Sequence, residues 1–185
     1  MLTNELMNKA KPVIDSTTIE TPLGTMLACA VEQGICFLEF SDRRMLETEF
    51  KTLTKLFDAP ILPGENRHFS LLRLQLNEYF EGGRKAFTLP LVMPGTAFQQ
   101  QVWDALQKIP YGATLSYQEQ ANAVNNPKAV RAVALANGMN RIAIVVPCHR
   151  VIGSDGHLTG YGGGIWRKKW LLDLEQEHKQ LKMEF

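Results

Sequence analysis

The first third of the chain alternates short apolar or β-branched runs with turn signals. Between Ser16 and Ser41 the runs are interrupted at Pro22-Leu23-Gly24 and again at Glu32-Gln33-Gly34. Such runs, separated by glycine and proline, are typical of antiparallel strands joined by tight turns. The pattern therefore predicts a small antiparallel sheet at the start of the chain.

Two helices are predicted to follow these strands. Residues 42–57 are predicted to form the first helix. A second helix is indicated by apolar positions at helical spacing, and it is expected to end at Gly82-Gly83. The apolar positions of this second helix are Phe69, Leu72, Leu76, Tyr79 and Phe80.

An extended segment separates these elements from the rest of the chain. The stretch KAFTLPLVMPG contains Pro90 and Pro94, which a helix or a central strand would not tolerate. We place a domain boundary there, with an N-terminal domain over residues 1–90 and a second domain over residues 91–185. The predicted fold class is α+β: a small domain of antiparallel sheet and helices, then a mainly helical domain with a helix-turn-helix and an active-site loop.

The second domain opens with a well-marked helix. Thr96 followed by Gln99 has the spacing of a capping box, and Pro110 ends the segment. Between them one apolar stripe is expected to face the core. The stripe comprises Phe98, Val102, Leu106 and Ile109.

Two short helices joined by a turn are predicted next. Ser116 and Glu119 form a second capping box, and an Asn-Asn pair then makes the turn. Asn126 is expected to cap the following helix, with Pro127 at its first position and Gly138 at its end. This arrangement is typical of a helix-turn-helix, although packed helical pairs of other kinds share it.

The second of these helices has one long, positively charged side chain among small ones. Arg131 is surrounded in sequence by alanines and valines, at positions 129, 130, 132, 133, 134 and 136. One interpretation is a packed core helix with a solvated arginine. The other is a helix laid into a nucleic-acid groove, with Arg131 inserted between bases. The pattern alone leaves both open.

Composition narrows the class of protein. The chain has 185 residues, 45% of them hydrophobic and 21% charged, with a net charge of +1, as expected of a soluble globular protein without a global basic field. Its apolar runs are shorter than the ~20 residues of a membrane span. The N-terminal stretch lacks a signal-peptide core. Three cysteines do not make a disulfide framework, so we expect a reducing, cytoplasmic setting.

The candidate chemistry lies in the stretch RIAIVVPCHR. Residues Ile142–Val146 are predicted to form a buried strand that Pro147 ends, which leaves Cys148 and His149 at its exit. A thiol attacks as thiolate, so its pKa of ~8.5 needs a nearby base or cation. Neighbouring side chains on an extended chain point to opposite faces, so His149 requires a turn or a bridging water to reach the sulfur.

The stretch alone does not decide between a reactive and a structural cysteine. An acid that orients the histidine is expected downstream, and three residues are candidates. These are Asp155, Asp173 and Glu175.

At this point the residues match a known family. The motif PCHRVIG, an asparagine eight residues before the cysteine, and the later YGGG and WLLDLE resemble the O6-alkylguanine-DNA alkyltransferases. The stretches GTAFQQQVWDAL, IPYGATLSYQEQA and NPKAVRAV fit the same family's DNA-binding domain. The resemblance covers Gly95 to Glu175. Residues 1–90 fit the family's ribonuclease-H-like N-terminal domain mainly by layout.

The resemblance implies roles for the reactive residues. Cys148 would accept the alkyl group, His149 would take the thiol proton through a water, and Glu175 would hold His149. Asn140 would be the hinge between the recognition helix and the acceptor segment. Tyr117 would press on the target phosphate, and its hydroxyl would donate a proton to the leaving base.

It also implies a DNA-binding face and a base pocket. Arg131 would fill the gap left in the base stack. Further DNA contacts would come from Ser116, Tyr117, Lys128, Ala129 and Val130. The pocket for the flipped base would be lined by Val151, Tyr161, Gly162 and Gly163.

The implied activity is stoichiometric DNA repair. The alkyl group of O6-methylguanine, and of O4-methylthymine, would pass irreversibly to Cys148 after the nucleotide is flipped through the minor groove. The partner is double-stranded DNA, the protein is expected to be a monomer, and cooperative binding along DNA is left open. No cofactor and no metal are expected, because the spacing of Cys29, Cys36 and His68 fits no compact zinc motif.

Two other functions compete with this one. A cysteine hydrolase built on Cys148, His149 and Glu175 would turn over, but it would have no use for Arg131. A DNA-binding module without chemistry would have no use for Cys148. Paired glycines at Gly162 and Gly163 further predict an open, flexible pocket rim that admits bulky alkyl groups.

Overall fold

The structure, a computed structural model, describes residues 12–180. The stretch for which no signal-peptide core is expected lies largely in residues 1–11, which are outside this range, as are residues 181–185. The last helix extends as far as Gln180.

The N-terminal domain is built on a four-stranded sheet with the order β3-β2-β1-β4. The first three strands are antiparallel, as the sequence pattern predicts. The fourth, which the pattern did not reveal, pairs in parallel with the first. The strands are β1 (Ile14–Ile19), β2 (Met26–Val31), β3 (Gly34–Phe40) and β4 (Ile61–Pro63).

Two helices pack on this sheet. Helix α1 (Leu46–Phe57) begins four residues later than the pattern predicts, after a turn in which the Arg43 amide donates to the Phe40 carbonyl. Helix α2 (Arg67–Phe80) has Asn66 as its N-cap, which accepts from the His68 amide at 3.1 Å. The Pro90 segment then pairs with the edge of β3 through backbone hydrogen bonds to Ile35.

The remaining elements are mainly helical, and both predicted capping boxes are present. A two-stranded parallel ribbon, β5 with β6, joins the helix-turn-helix to the segment after Cys148. The elements are α3 (Ala97–Gln107), β5 (Leu115–Ser116), α4 (Tyr117–Ala123), α5 (Val130–Gly138), β6 (Val151–Ile152) and α6 (Ile165–Gln180).

The predicted start of α5 is wrong. Asn126 does not cap the helix, and Pro127 is not its first residue, because α5 begins at Val130 with Ala129 at the cap position. The Gln118 side chain donates to the Pro127 carbonyl at 2.9 Å, which keeps that carbonyl in a turn instead of in the helical ladder. The helix-turn-helix itself is present, with a longer turn.

The predicted strand over Ile142–Val146 is also wrong, although these residues are buried. The chain pairs with Leu38 of β3 on either side of Ile142 and then turns, with Ile144 at a left-handed φ of 70°. The turn closes through a bond from the Val146 amide to the Ile142 carbonyl at 3.0 Å. Periodicity cannot separate a buried strand from a buried turn, because both are continuously apolar.

One hydrophobic core connects the sheet with the helical part. Both parts contribute side chains to it that are almost fully buried: Leu38 of β3, Leu72 of α2, Trp103 of α3, Val133 of α5, and Val146. A smaller cluster lies under α1 on the other face of the sheet. None of the helices in residues 12–180 combines the length and apolar character needed to cross a membrane.

Candidate active site

Cys148 lies at the start of a single 3-10 turn (Cys148–Arg150) and is partly exposed. The buried Asn140 side chain holds it in place. The Asn140 amide nitrogen donates to the Val146 carbonyl at 2.9 Å and lies 3.3 Å from the sulfur of Cys148, while its oxygen accepts from the Ile142 amide at 3.0 Å. Asn140 thus stabilises the turn over Ile142–Val146, where the sequence pattern predicts a strand. The same side chain contacts the Cys148 thiol.

The surroundings of Cys148 keep its thiol protonated. Burial raises its pKa to about 11, and the hydrogen bond from Asn140 opposes this rise. Among charged groups, Glu39 raises the pKa further while Lys168 and Arg43 lower it. A thiol of this kind is neutral at physiological pH, so its attack on carbon requires a base.

His149 is completely buried and is the base available on the same turn. Its Nε2 lies 2.8 Å from the Glu175 carboxylate, and its Nδ1 has no hydrogen-bond partner among the residues described. Burial lowers the pKa of His149 and outweighs the carboxylate, which favours the charged form. The imidazole is therefore neutral, and with its proton on Nε2 toward Glu175, Nδ1 carries the free lone pair.

Glu175 of α6 is the centre of this network. Its carboxylate accepts from the Tyr79 hydroxyl at 2.8 Å, from the Gly112 amide at 2.9 Å and from the Arg150 guanidinium at 3.0 Å, besides contacting His149. Burial alone would raise its pKa, but the bonds to His149 and Arg150 prevail and lower it to about 2. A permanent negative charge therefore lies behind the imidazole.

The structure selects Glu175 from the three acids that the sequence left open. Asp155 is exposed and contacts His157 on the surface, and Asp173 is exposed and pairs with Lys169 one turn along α6. Only Glu175 reaches His149. Tyr79 is separated from Glu175 by 96 residues, so no local signal could have revealed it.

A buried lysine holds the wall of the predicted base pocket. The Lys168 ammonium donates to the carbonyls of Val151 and Thr159, each at 2.6 Å. The Tyr117 hydroxyl donates to the same Thr159 carbonyl at 3.3 Å. Burial lowers the pKa of Lys168 to about 8. Sequence reasoning missed this residue because a lysine in an amphipathic helix usually faces solvent.

The paired glycines Gly162 and Gly163 lie against the N-terminal domain. A side chain at Gly162 would overlap the Arg43 guanidinium, and a Cβ at Gly163 would lie 2.7 Å from the Phe40 ring. The N-terminal domain therefore contacts both glycines, and an open cleft bordered by Arg43, Tyr161 and residues 162–164 lies beside them. The open pocket rim stays a prediction. Tyr161, which precedes the two glycines in the chain, has a buried hydroxyl without a hydrogen-bond partner in the described range.

Arg43 is itself firmly held. It forms ion pairs with Glu39 and Glu49, both at 2.7 Å, and donates to the Gly138 carbonyl at the end of α5 at 3.0 Å. This arginine thus connects the sheet, α5 and the segment that carries Gly162.

The predicted DNA-binding residues lie on or just before the helices of the helix-turn-helix. Arg131 and Lys128 are exposed, while Ala129, Val130 and Ser116 are partly buried. Ser116 is the N-cap of α4 and accepts from the Glu119 amide at 3.1 Å. The side chains of Arg131 and Lys128 are therefore accessible to a partner molecule.

The residues nominated for zinc do not form a site. Cys29 and Cys36 are buried in the smaller core cluster, whereas His68 contacts the Glu32 carbonyl at the start of α2. Within residues 12–180, no group of three or more histidine, cysteine, aspartate or glutamate side chains is placed to hold a metal ion.

Comparison with known proteins identifies the family. Residues 97–177 match the model described as the 6-O-methylguanine DNA methyltransferase, DNA binding domain, and residues 14–93 match the ribonuclease-like domain of the same enzyme. The methylated-DNA–protein-cysteine methyltransferase of Mycobacterium tuberculosis is 61% identical over 164 residues, which cover 89% of this chain and 93% of that protein. That of Methanosarcina acetivorans is 44% identical over 84% of this chain and 94% of its own length.

The chain belongs to the methylated-DNA–protein-cysteine methyltransferase family. Solved structures agree: the crystal structure of Mycobacterium tuberculosis OGT in complex with DNA superposes with a TM-score of 0.76 at 44% identity, covering 89% of this chain and 94% of that one. The predicted family, the α+β fold class and the enzyme class are confirmed.

Removing the charge of Glu175 is expected to destabilise this methyltransferase strongly. Glu175→Gln leaves the Arg150 guanidinium buried without its counter-ion, which costs about 3–5 kcal/mol of unfolding free energy. Denaturant unfolding measures this cost. Asp173→Asn on the same helix removes only an exposed ion pair and should change the unfolding free energy by less than about 1 kcal/mol. Equal effects of the two substitutions would contradict the role given to the Glu175 network.

A methyl group at Gly162 is expected to expel Arg43 from its position. Gly162→Ala in this methyltransferase would break charged hydrogen bonds to Glu39, Glu49 and the Gly138 carbonyl, at a cost of about 1.5–3 kcal/mol in stability. Gly138→Ala is the matched control, because a Cβ there meets nothing within 4 Å. At that helical position alanine should be neutral or stabilising. A stable Gly162→Ala protein, as judged by thermal unfolding, would show that Arg43 is not fixed in this way.

Proposed function

We propose that the protein repairs O6-alkylguanine in double-stranded DNA by moving the alkyl group to Cys148, once per molecule. The observation that carries this proposal is the arrangement of Cys148, His149 and Glu175. The thiol follows a turn braced by Asn140, and the adjacent imidazole is buried, neutral and backed by a permanent carboxylate charge. DNA repair by alkyl transfer is also what the family relationship supports.

In the proposed reaction, His149 Nδ1 takes the thiol proton through one bridging water. The sulfur then attacks the alkyl carbon in line with its bond to O6, so that the C–S bond forms as the C–O6 bond breaks. The bonding electrons stay on guanine, which takes a proton from the Tyr117 hydroxyl, and solvent replaces that proton. Glu175 stabilises the imidazolium formed on His149, as acids do in other Cys-His systems.

Each molecule is expected to react once. The product is a thioether, which has no easy route to hydrolysis. A second thiol that could take over the alkyl group would have to reach Cys148. Cys29 and Cys36 cannot do so, because both are buried in the sheet core and burial raises the pKa of both thiols, that of Cys36 to about 12.

The alkyl carbon lies inside the duplex, so the nucleotide must leave the stack before sulfur can reach it. We propose that it is flipped through the minor groove and that Arg131 fills the gap. The small exposed residues beside Arg131 allow the close approach that this groove requires. Lys128, Ala129 and Val130 would contact the flanking backbone, and Ser116 and Tyr117 the target phosphate. Tyr161, Val151, Gly162 and Gly163 would line the pocket, and O4-alkylthymine would react by the same chemistry.

Mass spectrometry of the intact protein tests this function. After incubation with excess duplex containing O6-methylguanine, each molecule should gain a single methyl group, and that group should map to the Cys148 peptide. Cys148→Ala should gain none, whereas Cys29→Ala is the control and should still be methylated. Repeated turnover without a stable adduct would favour a hydrolase, and no covalent change would favour a pure DNA-binding module.

The rate of transfer should depend on pH through His149. Burial lowers the pKa of His149, and the base is active only when neutral, so the rate should be constant around neutral pH and fall as the pH drops through this lowered value. Single-turnover rates against pH measure the midpoint. A midpoint above the ordinary histidine pKa of about 6.5 would contradict the buried neutral base. The inflection should disappear in His149→Ala.

A further inference from the structure

Leu135 of α5 is the most exposed large hydrophobic side chain among residues 12–180, with 63% of its surface accessible. A lone exposed leucine has no special meaning. This one lies on a helix whose other exposed positions, apart from Arg131, are small, and it is followed by Met139, which is 39% exposed. Two large apolar side chains thus project, together with Arg131, from a surface of otherwise small residues.

Helical spacing places Leu135 and Met139 on the same face as Arg131. The three positions are separated by four residues each, so they form one row along α5 and its C-terminal cap. The opposite side of the helix is occupied by Val133, Ala136 and Asn137, which are buried. The row therefore continues the surface that the proposed function assigns to DNA.

We propose that Leu135 is an apolar wedge that enters the minor groove beside Arg131 and helps to unstack the duplex there. This inference rests on the proposed function, since it assumes that the Arg131 face docks on DNA. Minor-groove proteins often insert leucine, methionine or isoleucine between base steps, which kinks the duplex. Leu135 lies about 6 Å along the helix from Arg131, at about 1.5 Å per residue. That distance is between one and two base steps of about 3.4 Å.

The neighbours of Leu135 favour DNA as the occupant of this face. Ala132, Ala134 and Gly138 flank the row and leave space for the groove walls, which are largely sugar. Arg131 on the same row supplies the positive charge that attracts the phosphates. A protein partner that covered Leu135 would also cover Arg131. Arg131 could then not contact DNA, so this face cannot bind a protein and DNA at the same time.

Leu135→Ala tests the wedge, with Leu74→Ala on α2 as the matched control. Leu74 is 53% exposed on the N-terminal domain, away from α5. Leu135→Ala should weaken binding to duplex DNA about tenfold, equivalent to about 1.4 kcal/mol. It should also reduce the bend measured by energy transfer across a labelled duplex, and lower the ratio of transfer rates from duplex and from free O6-benzylguanine. Leu74→Ala should change none of these.

Arg131→Ala, measured in parallel, separates the two proposals. If Arg131→Ala loses duplex binding and Leu135→Ala behaves like Leu74→Ala, the wedge is overturned and the proposed function stands. If Arg131→Ala and Leu135→Ala both bind and react like the unmodified protein, the DNA face itself is wrong and the wedge falls with it. A loss in both variants, with Leu74→Ala unaffected, supports the wedge.

Discussion

The buried carboxylate of Glu175 is the group on which the rest of the site depends. A charge in the interior is stable only when it is paired and fully hydrogen-bonded. Here the partners come from three parts of the chain: Tyr79 from α2, the Gly112 amide from the segment after α3, and Arg150 with His149 from the reactive turn. The same bonds that make the charge tolerable hold the imidazole behind the thiol, so stability and reactivity share one network.

The N-terminal domain contributes to the site more directly than a scaffold would. Tyr79 donates to Glu175, Leu38 of β3 fixes the backbone on either side of Ile142, and Arg43 fills the space beside Gly162. Arg43 also bonds to the last carbonyl of α5, where a cation is favoured by the helix dipole. Helix α5 and the segment that carries Cys148 are thereby held against the same sheet. This contact sets the position of the thiol relative to the proposed DNA face.

The electrostatic surroundings of Cys148 favour its protonated, unreactive form. Burial and Glu39 keep the proton on Cys148, while Lys168 and Arg43 partly offset them. A resting thiolate would be exposed to oxidation and to chance electrophiles, because the thiolate is the reactive form of cysteine. A neutral thiol next to a neutral base avoids this exposure. In the proposed mechanism the thiolate would form only as His149 accepts its proton.

Local signals determined much of this protein. Capping boxes at Thr96 and Ser116 set two helix starts, because the hydrogen bonds involved span three residues. The motif around Cys148 indicated the family. Tertiary structure decided what depends on distant partners. Helix α5 begins at Val130 and not at Pro127, and the apolar residues after Asn140 form a turn and not a strand. Of the three candidate acids, Glu175 contacts His149. The tertiary structure also brought in Tyr79, Lys168 and Arg43. Burial and hydrogen bonds between residues distant in sequence determine these features. The spacing of residues along the chain does not reveal which distant residues come into contact.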